Sequence, residues 1–284
     1  MKYVSYVKAG KSGFGAVVND NKVVDLTDKI AGVGRLAELV GSEKSLAEAK
    51  AYVANQTPEF DLDAVTLEPV IPQPSKIICI GINYVAHAAE AGRKVGDYPV
   101  VFHRFADTLQ AANAPLIRPT ASHDFDFEAE LAVVIGKGGA NIKPEDAMSH
   151  VAGYTCFNDG SLRDWQFHTH QYGMGKNFRK TGGLGPWMVT ADEVDDYRKM
   201  EIKGVLNGDV MQEGKLSELA FDIPYLISYV SKALDWNPGD ILATGTPSGV
   251  GFKRKPPVFL KPGDTFEVVI SQVGTLSNTV VDEA

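Results

Sequence analysis

One stretch of this 284-residue sequence decides more about the fold than any other: Asp124-Phe125-Asp126-Phe127-Glu128-Ala129-Glu130-Leu131-Ala132-Val133-Val134-Ile135. Polar and apolar residues alternate with a period of two over its first part, which is typical of a β-strand, and an apolar run follows. The same period places Glu128 and Glu130 on one face. Because neighbouring carboxylates repel each other unless a proton or a hard cation lies between them, the stretch predicts a strand that carries a cation site.

Asp159 supplies a third carboxylate at the end of another apolar stretch, within Cys156-Phe157-Asn158-Asp159-Gly160. Three carboxylates without a cysteine or a close histidine pair favour Mg²⁺, Mn²⁺ or Ca²⁺ over Zn²⁺. Such a set leaves about three of six octahedral positions for water and a chelating substrate. The alternative is that Glu128 and Glu130 lie on a solvated strand face, and the motif alone does not separate the two interpretations.

The composition fits a globular enzyme of one or two domains, with 44% hydrophobic and 23% charged residues. The net charge of -8 argues against a nucleic-acid partner, which would require a basic surface. No apolar segment reaches the roughly 18 residues of a membrane span, and the first residues lack the apolar core of a secretion signal. We therefore expect a cytoplasmic protein without a membrane partner, in which Cys79 and Cys156 are reduced core thiols.

The N-terminal part of the chain reads as a small α+β unit. Its patterns predict strands at Lys2–Lys8, Gly13–Val18 and Lys22–Leu26. A helical stretch is predicted to follow at 36–53. Gly41-Ser42 interrupts the helical stretch at a natural N-cap position. The proline-rich segment Leu67–Pro74 is extended and stiff, so we place a domain boundary there, between residues 1–72 and 73–284.

The larger part of the chain is dominated by strand signals. A buried strand at Lys76–Gly81 leads into a helical stretch at 83–91, and further helices are predicted from Pro144 to His150 and from Pro224 to Ala233. These helices are too few and too irregularly spaced for repeated βαβ units. We therefore predict an α+β, β-rich fold with mixed, mostly antiparallel sheets.

Two further groups could take part in catalysis. His87 and Glu90 are neighbours on a helix, so Glu90 could orient the imidazole as a general base, although such pairs are usually surface contacts. Lys176, in a glycine-rich loop, could balance an anionic substrate, but the sequence alone favours a solvated lysine.

Taken together, several motifs resemble the fumarylacetoacetate hydrolase family from about Pro74 to the C-terminus: Phe127–Gly136, Gly153-Tyr154-Thr155, Asn158-Asp159, Arg163-Asp164-Trp165-Gln166, Gly175-Lys176, Gly185-Pro186-Trp187 and Gly245-Thr246-Pro247-Ser248-Gly249. The resemblance implies that Glu128, Glu130 and Asp159 bind Mg²⁺ or Mn²⁺, with Ca²⁺ as a substitute in crystals. It also implies a β-sandwich roll behind a small N-terminal α+β domain, and a homodimer.

The resemblance further implies hydrolysis of a carbon–carbon bond in a 1,3-diketo acid, of the acylpyruvate, fumarylpyruvate or fumarylacetoacetate type, in aromatic-compound breakdown. His87, oriented by Glu90, would deprotonate water, and Lys176 would offset the negative charge on the oxyanion or protonate the leaving carbanion. The residues expected to bind the substrate are Arg163, Gln166 and Thr246.

Two rival functions remain open. One is a decarboxylase, isomerase or hydratase that acts on a 2-oxo diacid such as oxaloacetate through the same metal-stabilised enolate. The other is a non-catalytic module that binds an ion for stability alone.

The sequence departs from its apparent relatives at two positions. Many of them carry arginine where this chain has Ile82, and a larger residue where it has Gly160. Without that arginine, the substrate's acid group needs another anchor, and the available cations are Arg93, Lys94, His103, Arg104, Arg179 and Lys180.

Overall fold

The computed structural model describes residues 1–284, and strands account for most of the regular structure. The strands are β1 (Lys2–Lys8), β2 (Lys11–Val18), β3 (Lys22–Asp25), β4 (Phe60–Asp61), β5 (Thr66–Leu67), β6 (Ile77–Gly81), β7 (Val100–Arg104), β8 (Leu109–Gln110), β9 (Leu116–Arg118), β10 (Phe125–Asp126), β11 (Ala129–Ile135), β12 (Val151–Asn158), β13 (Ser161–Leu162), β14 (Gly182–Thr190), β15 (Glu201–Leu206), β16 (Asp209–Lys215), β17 (Ile241–Ala243), β18 (Thr265–Ile270) and β19 (Gly274–Asp282).

The α-helices are short and few: α1 (Leu36–Val40), α2 (Glu43–Ala54), α3 (Val85–Glu90), α4 (Arg163–Gln166), α5 (Gly173–Lys176) and α6 (Ile223–Ser231). Ser42 caps α2 as predicted, since its side chain accepts a hydrogen bond from the backbone N–H of Ser45. The predicted helix at Pro144–His150 forms as a 3-10 helix instead. None of the helices is long and apolar enough to cross a membrane.

Two large sheets pack against each other. The first has twelve strands, with the main path β4-β3-β2-β1-β14-β12-β11-β17-β6-β7, and the second has five in the order β16-β15-β18-β19-β9. Most neighbours are antiparallel, whereas β6 with β17, β8 with β14, and β9 with β19 are parallel. The predicted α+β, β-rich class with mixed and mostly antiparallel sheets is confirmed.

Strand β11 lies in the middle of the large sheet and is buried on both faces. Leu131, Val133 and Ile135 belong to an apolar cluster shared with the five-stranded sheet. Ala132 and Val134 point to the opposite cluster, which includes residues of α1 and the N-terminal strands. A strand covered on both faces requires a continuous apolar run, and this explains why the alternation of the opening stretch gives way after Glu130.

The N-terminal region joins the large sheet through β1. Lys2 and Tyr3 pair with Val189 and Met188 of β14. One cluster of 26 buried apolar residues spans both sides of the proposed boundary at residue 72. The division into residues 1–72 and 73–284 stays a prediction.

Candidate metal centre and active site

The three carboxylates of the predicted cation site converge at one end of the β11–β12 ladder. Glu128 directly precedes β11, Glu130 lies within it, and Asp159 directly follows β12. The backbone N–H of Asp159 donates to the carbonyl of Glu128 at 2.9 Å, which continues the ladder by one step. One oxygen from each residue lies within 4.8 Å of the others. With relative exposures of 6%, 1% and 0%, these residues do not lie on a solvated strand face, so that alternative is wrong.

Buried cations surround two of the three carboxylates. The ammonium of Lys176 lies 2.7 Å from an oxygen of Glu128 and 2.7 Å from one of Asp159. The Arg163 guanidinium lies 2.7 Å from the other Glu128 oxygen, and that of Arg104 lies 2.6 Å from the other Asp159 oxygen. Lys176 is buried, so its interpretation as a solvated loop lysine is wrong.

These contacts keep Glu128 and Lys176 charged in spite of burial. Burial by itself raises the pKa of Glu128, but the positive charges of Lys176 and Arg163 outweigh it and lower the pKa to about 2. Burial likewise opposes the charge on Lys176, whereas Asp159 and Glu128 raise its pKa overall. The ion pairs are therefore a fixed part of the site at neutral pH.

Glu130 is the one carboxylate of the three that forms no salt bridge, although the charge of Lys176 acts on it from nearby. One of its oxygens accepts a hydrogen bond from the backbone N–H of Gly245 at 2.9 Å. Burial, followed by repulsion from Asp159 and Glu128, raises its pKa well above the usual value. A buried carboxylate in this position needs either a proton or a cation. The all-oxygen donor set fits a hard divalent ion such as Mg²⁺ or Mn²⁺, with Glu128, Glu130 and Asp159 as the residues that would hold it.

His87 and Glu90 lie on α3, which covers the cavity beside the carboxylates. The side chain of His87 is only 9% exposed and lines the cavity, so the pair is not an ordinary surface contact. Nδ1 of His87 lies 3.4 Å from a Glu90 oxygen, and Glu90 also accepts the backbone N–H of Gly249 at 3.0 Å. Glu90 therefore has a partner on each side, and these contacts lower its pKa although burial opposes its charge.

Arg163 connects the centre to a second buried acid. Its Nε donates to Asp126 at 2.7 Å, and its Nη1 donates to the side-chain carbonyl of Gln166 at 2.8 Å. Asp126 in turn accepts the backbone N–H groups of Gly251 and Phe252. The guanidinium is thus held by three side chains, and the amide NH₂ of Gln166, which makes no hydrogen bond to protein, can still reach a ligand in the cavity.

Thr246 lines the same cavity, but its hydroxyl is already occupied. It donates to the carbonyl of Ala129 at 2.9 Å and accepts from the side-chain amide of Gln212 at 2.7 Å. Since the hydroxyl proton is committed, Thr246 can only accept from a substrate. The role of Thr246 in substrate binding stays a prediction.

The cavity has a volume of about 180 Å³. It brings together all of the expected site residues except Glu90 and Asp159, which stand directly behind His87 and Lys176. Ile82 lines it, with a backbone φ of 58°. Of the cations considered as substitutes for the missing arginine, Arg93 lines the cavity, and Arg104 is buried behind Asp159.

Two residues of the site, Gln212 and Asp126, were missed by sequence reasoning, and Arg104 was considered only as an anchor for the substrate and not as the partner of Asp159. Gln212 lies in a strand without a motif, so no local signal identifies it. Asp126 lies in the opening stretch, where the same alternation that singled out Glu128 and Glu130 also places it on their face.

Comparison with known proteins identifies the family to which the chain belongs. A family model described as "Fumarylacetoacetate (FAA) hydrolase C-terminal" matches residues 76–281. The chain therefore belongs to the fumarylacetoacetate hydrolase family. Among curated relatives, oxaloacetate tautomerase fahd2, mitochondrial, from Xenopus laevis is 43% identical over 84% of this chain and 76% of its own length. The human oxaloacetate tautomerase FAHD2A, mitochondrial, is 41% identical over 84% of this chain and 77% of its own length.

Solved structures with the same fold include enzymes with other reactions. Maleylpyruvate hydrolase from Sphingobium sp. SYK-6, in complex with manganese(II) and pyruvate, is 29% identical with a TM-score of 0.83, and the match covers all of both chains. A 5-carboxymethyl-2-hydroxymuconate delta-isomerase from Mycobacterium smegmatis is 28% identical with a TM-score of 0.79, again over both whole chains. This chain is thus a family enzyme whose particular reaction these neighbours leave open.

Proposed function

We propose that this protein is a divalent-metal-dependent enzyme that interconverts the keto and enol forms of oxaloacetate or a closely similar 2-oxo diacid. This function is the isomerase alternative, whereas the sequence resemblance favoured a carbon–carbon hydrolase. The relatives at 41–43% identity named oxaloacetate tautomerases support the substrate class.

The observation that carries the proposal is the buried imidazole of His87 in the same cavity as the carboxylate cluster. Keto–enol exchange requires one group that removes a proton from the carbon beside a carbonyl and one that stabilises the negative charge on the carbonyl oxygen. His87 and Lys176, which both line this cavity, supply these two groups. The reaction requires no other co-substrate.

Each residue has a defined part in this reaction. A bound Mg²⁺ or Mn²⁺ would act as a Lewis acid toward the substrate oxygens. His87 takes the proton from the substrate carbon, and the electrons of that C–H bond form the new carbon–carbon double bond. The carbonyl oxygen gains a proton from water in the cavity and His87 releases its proton to water, so neither the substrate's composition nor the protonation of the enzyme changes over the cycle. Lys176 uses two of its three N–H groups on Glu128 and Asp159, and the third is free to donate to that oxygen.

The proposal is tested by mixing EDTA-treated protein, reloaded with Mg²⁺ or Mn²⁺, with the enol form of oxaloacetate. We expect faster loss of the enol's ultraviolet absorbance than with the same metal concentration alone, and no pyruvate release. Equal rates with and without protein would contradict the proposal. Pyruvate formed from oxaloacetate would indicate a decarboxylase instead.

The second candidate is hydrolysis of a carbon–carbon bond in an acylpyruvate-type acid. The manganese- and pyruvate-bound maleylpyruvate hydrolase, with its matching fold, favours it. In that reaction His87 would deprotonate water instead of the substrate carbon. Pyruvate released from maleylpyruvate, fumarylpyruvate or acetylpyruvate would support this candidate, and a role in aromatic-compound breakdown would follow from it.

A non-catalytic, metal-stabilised module is disfavoured by the buried His87, because a structural ion requires no base beside it. It would be preferred if metal raised the melting temperature while no oxo acid in this panel were turned over. The homodimer, the cytoplasmic location and the absence of nucleic-acid and membrane partners stay predictions.

A further inference from the structure

The cations of the cavity differ in how they are paired. Arg163 and Lys176, at the centre, are each held by buried carboxylates at 2.7 Å. Arg93 and Lys253 also line the cavity, but neither forms an ion pair with a carboxylate. Arg93 instead donates to the Tyr172 hydroxyl, and the Lys253 ammonium lies 4.9 Å from the Phe252 ring centroid. The cavity therefore combines a centre whose cations are all paired with carboxylates and a rim whose cations are not.

The position of Arg93 is fixed by the helix that carries His87. Gly92 has a φ of 70° and ends α3, and the backbone N–H of Arg93 donates to the carbonyl of Ala88 at 2.8 Å. This is the Schellman arrangement, which holds the first residues beyond a helix in a defined direction. The backbone of Arg93 is consequently held at a defined position relative to the helix that carries His87.

The guanidinium of Arg93 has donors to spare. A guanidinium carries five N–H groups, of which one is used on Tyr172, and its planar fork matches a carboxylate. The Tyr172 hydroxyl holds the guanidinium at the mouth of the cavity without neutralising it. An exposed guanidinium in this position is available to an anionic group of a ligand whose other end lies at the buried centre.

We propose that Arg93, supported by the charge of Lys253, binds the second carboxylate of the substrate, the one farther from the metal centre, and so selects dianionic oxo acids over monoanionic ones. This inference rests on the proposed function and assigns the anchor that Ile82 leaves vacant. It predicts that the protein discriminates between oxaloacetate and 2-oxobutanoate, which have the same number of carbon atoms. Oxaloacetate ends in a second carboxylate, whereas 2-oxobutanoate ends in a methyl group.

The test compares Arg93→Gln with Lys94→Gln, a matched control that removes the same charge from the next residue, which is exposed and does not line the cavity. For Arg93→Gln we expect KM for oxaloacetate to rise about tenfold or more, as for a lost charge-assisted hydrogen bond. The inhibition constant of 2-oxobutanoate should stay within about twofold. Lys94→Gln should leave both values close to wild type.

Calorimetric titration of the two ligands into Mn²⁺-loaded protein measures the same contrast as binding affinities, which do not depend on a rate. A failure of the proposed function therefore remains distinguishable from a failure of this inference. Tyr172→Phe removes the acceptor but keeps the guanidinium, and we expect it to retain the preference for oxaloacetate. Three outcomes overturn the inference: equal affinity of wild type for both ligands, an equal loss for both in Arg93→Gln, or no loss for either.

Discussion

At the scale of single residues, the charges of the centre are arranged around Lys176. Its ammonium lies between Glu128 and Asp159, which without it would face each other across a few ångströms of buried space. Arg104 and Arg163 hold the outer oxygens of the same two carboxylates. Glu130 has no salt bridge, so an added cation would stabilise its charge more than that of the other two carboxylates. His87 takes no part in these ion pairs.

The first prediction concerns the pH dependence of stability through Glu128. Its pKa falls from about 4.5 in the unfolded chain to about 2 in the fold, so its ion pairs contribute fully above about pH 4.5 and are lost as the pH falls toward 2. In metal-free protein, we expect Glu128→Gln to lower the free energy of unfolding at pH 7 by about 3 kcal/mol or more. The gap to wild type should narrow below pH 4.5 by about 1.4 kcal/mol per pH unit.

Urea denaturation at several pH values between 7 and 3 measures this gap. Glu283→Gln is a suitable control, because Glu283 also has a lowered pKa, owing to the backbone N–H of Thr120, but is exposed. A gap for Glu128→Gln that stayed constant down to pH 3 would show that Glu128 is not held as an anion by its neighbours.

The second prediction concerns His87 as the proton-transfer group. We expect His87→Ala to lower kcat on the order of 10²-fold or more, because general-base catalysis is lost. The affinity for Mn²⁺, measured by calorimetry, should stay near the wild-type value because the carboxylates are intact. His103→Ala, which removes an exposed imidazole outside the cavity, is the control. A variant at position 87 with unchanged kcat would remove His87 from the mechanism.

At the scale of elements, α3 is held over the centre by contacts at both of its ends. Before the helix, the side chain of Asn83 donates to the carbonyls of Phe221 and Thr244. At the other end, Glu90 accepts the backbone N–H of Gly249. A helix of six residues has little stability of its own, so these contacts, together with packing, determine where His87 lies.

The third prediction concerns the turn between β12 and β13. A Cβ added at Gly160 would lie 2.1 Å from the carbonyl oxygen of Thr181, which explains why this chain has glycine directly after Asp159. We expect Gly160→Ala to lower the free energy of unfolding by about 1–3 kcal/mol and to weaken Mn²⁺ binding, because Asp159 must move. Gly173→Ala, where an added Cβ meets nothing within 4 Å, is the control. Urea denaturation and calorimetry provide the two measurements, and a fully stable Gly160→Ala protein would argue against this close contact.

At the scale of the whole molecule, the N-terminal residues complete the sheet that holds the site. Strand β1 pairs with β14, and the buried face shared with the N-terminal region includes Ala132, Val134 and Met188. The strand that bears Glu130 is therefore covered on one side by residues from the other end of the chain.

The fourth prediction concerns a fragment of residues 73–284. Because it would expose the edge of β14 and the apolar face behind β11, we expect it to aggregate and to lack a cooperative thermal transition. Calorimetry and light scattering, with the full chain as reference, measure both properties. A fragment that melted cooperatively near the full-length temperature would instead establish residues 73–284 as an independent domain.

The sequence by itself determined the local features of this protein. The spacing of Glu128 and Glu130 and the neighbouring positions of His87 and Glu90 follow from backbone periodicities of two and 3.6 residues, which act over a few positions. The cap at Ser42 is equally local, because its side chain accepts a backbone N–H three residues away. The order of its motifs was also sufficient to identify the family.

Only the tertiary structure decided how these pieces are charged and covered. Arg104 and Asp159 meet although they are 55 residues apart, and Lys176 is buried between two carboxylates although its loop resembles a solvated one. The break in the opening stretch between β10 and β11, and the 3-10 form of Pro144–His150, also depend on neighbours distant in sequence. Burial and ion pairing are set by which strands pack together, and no short-range pattern in a chain records that choice.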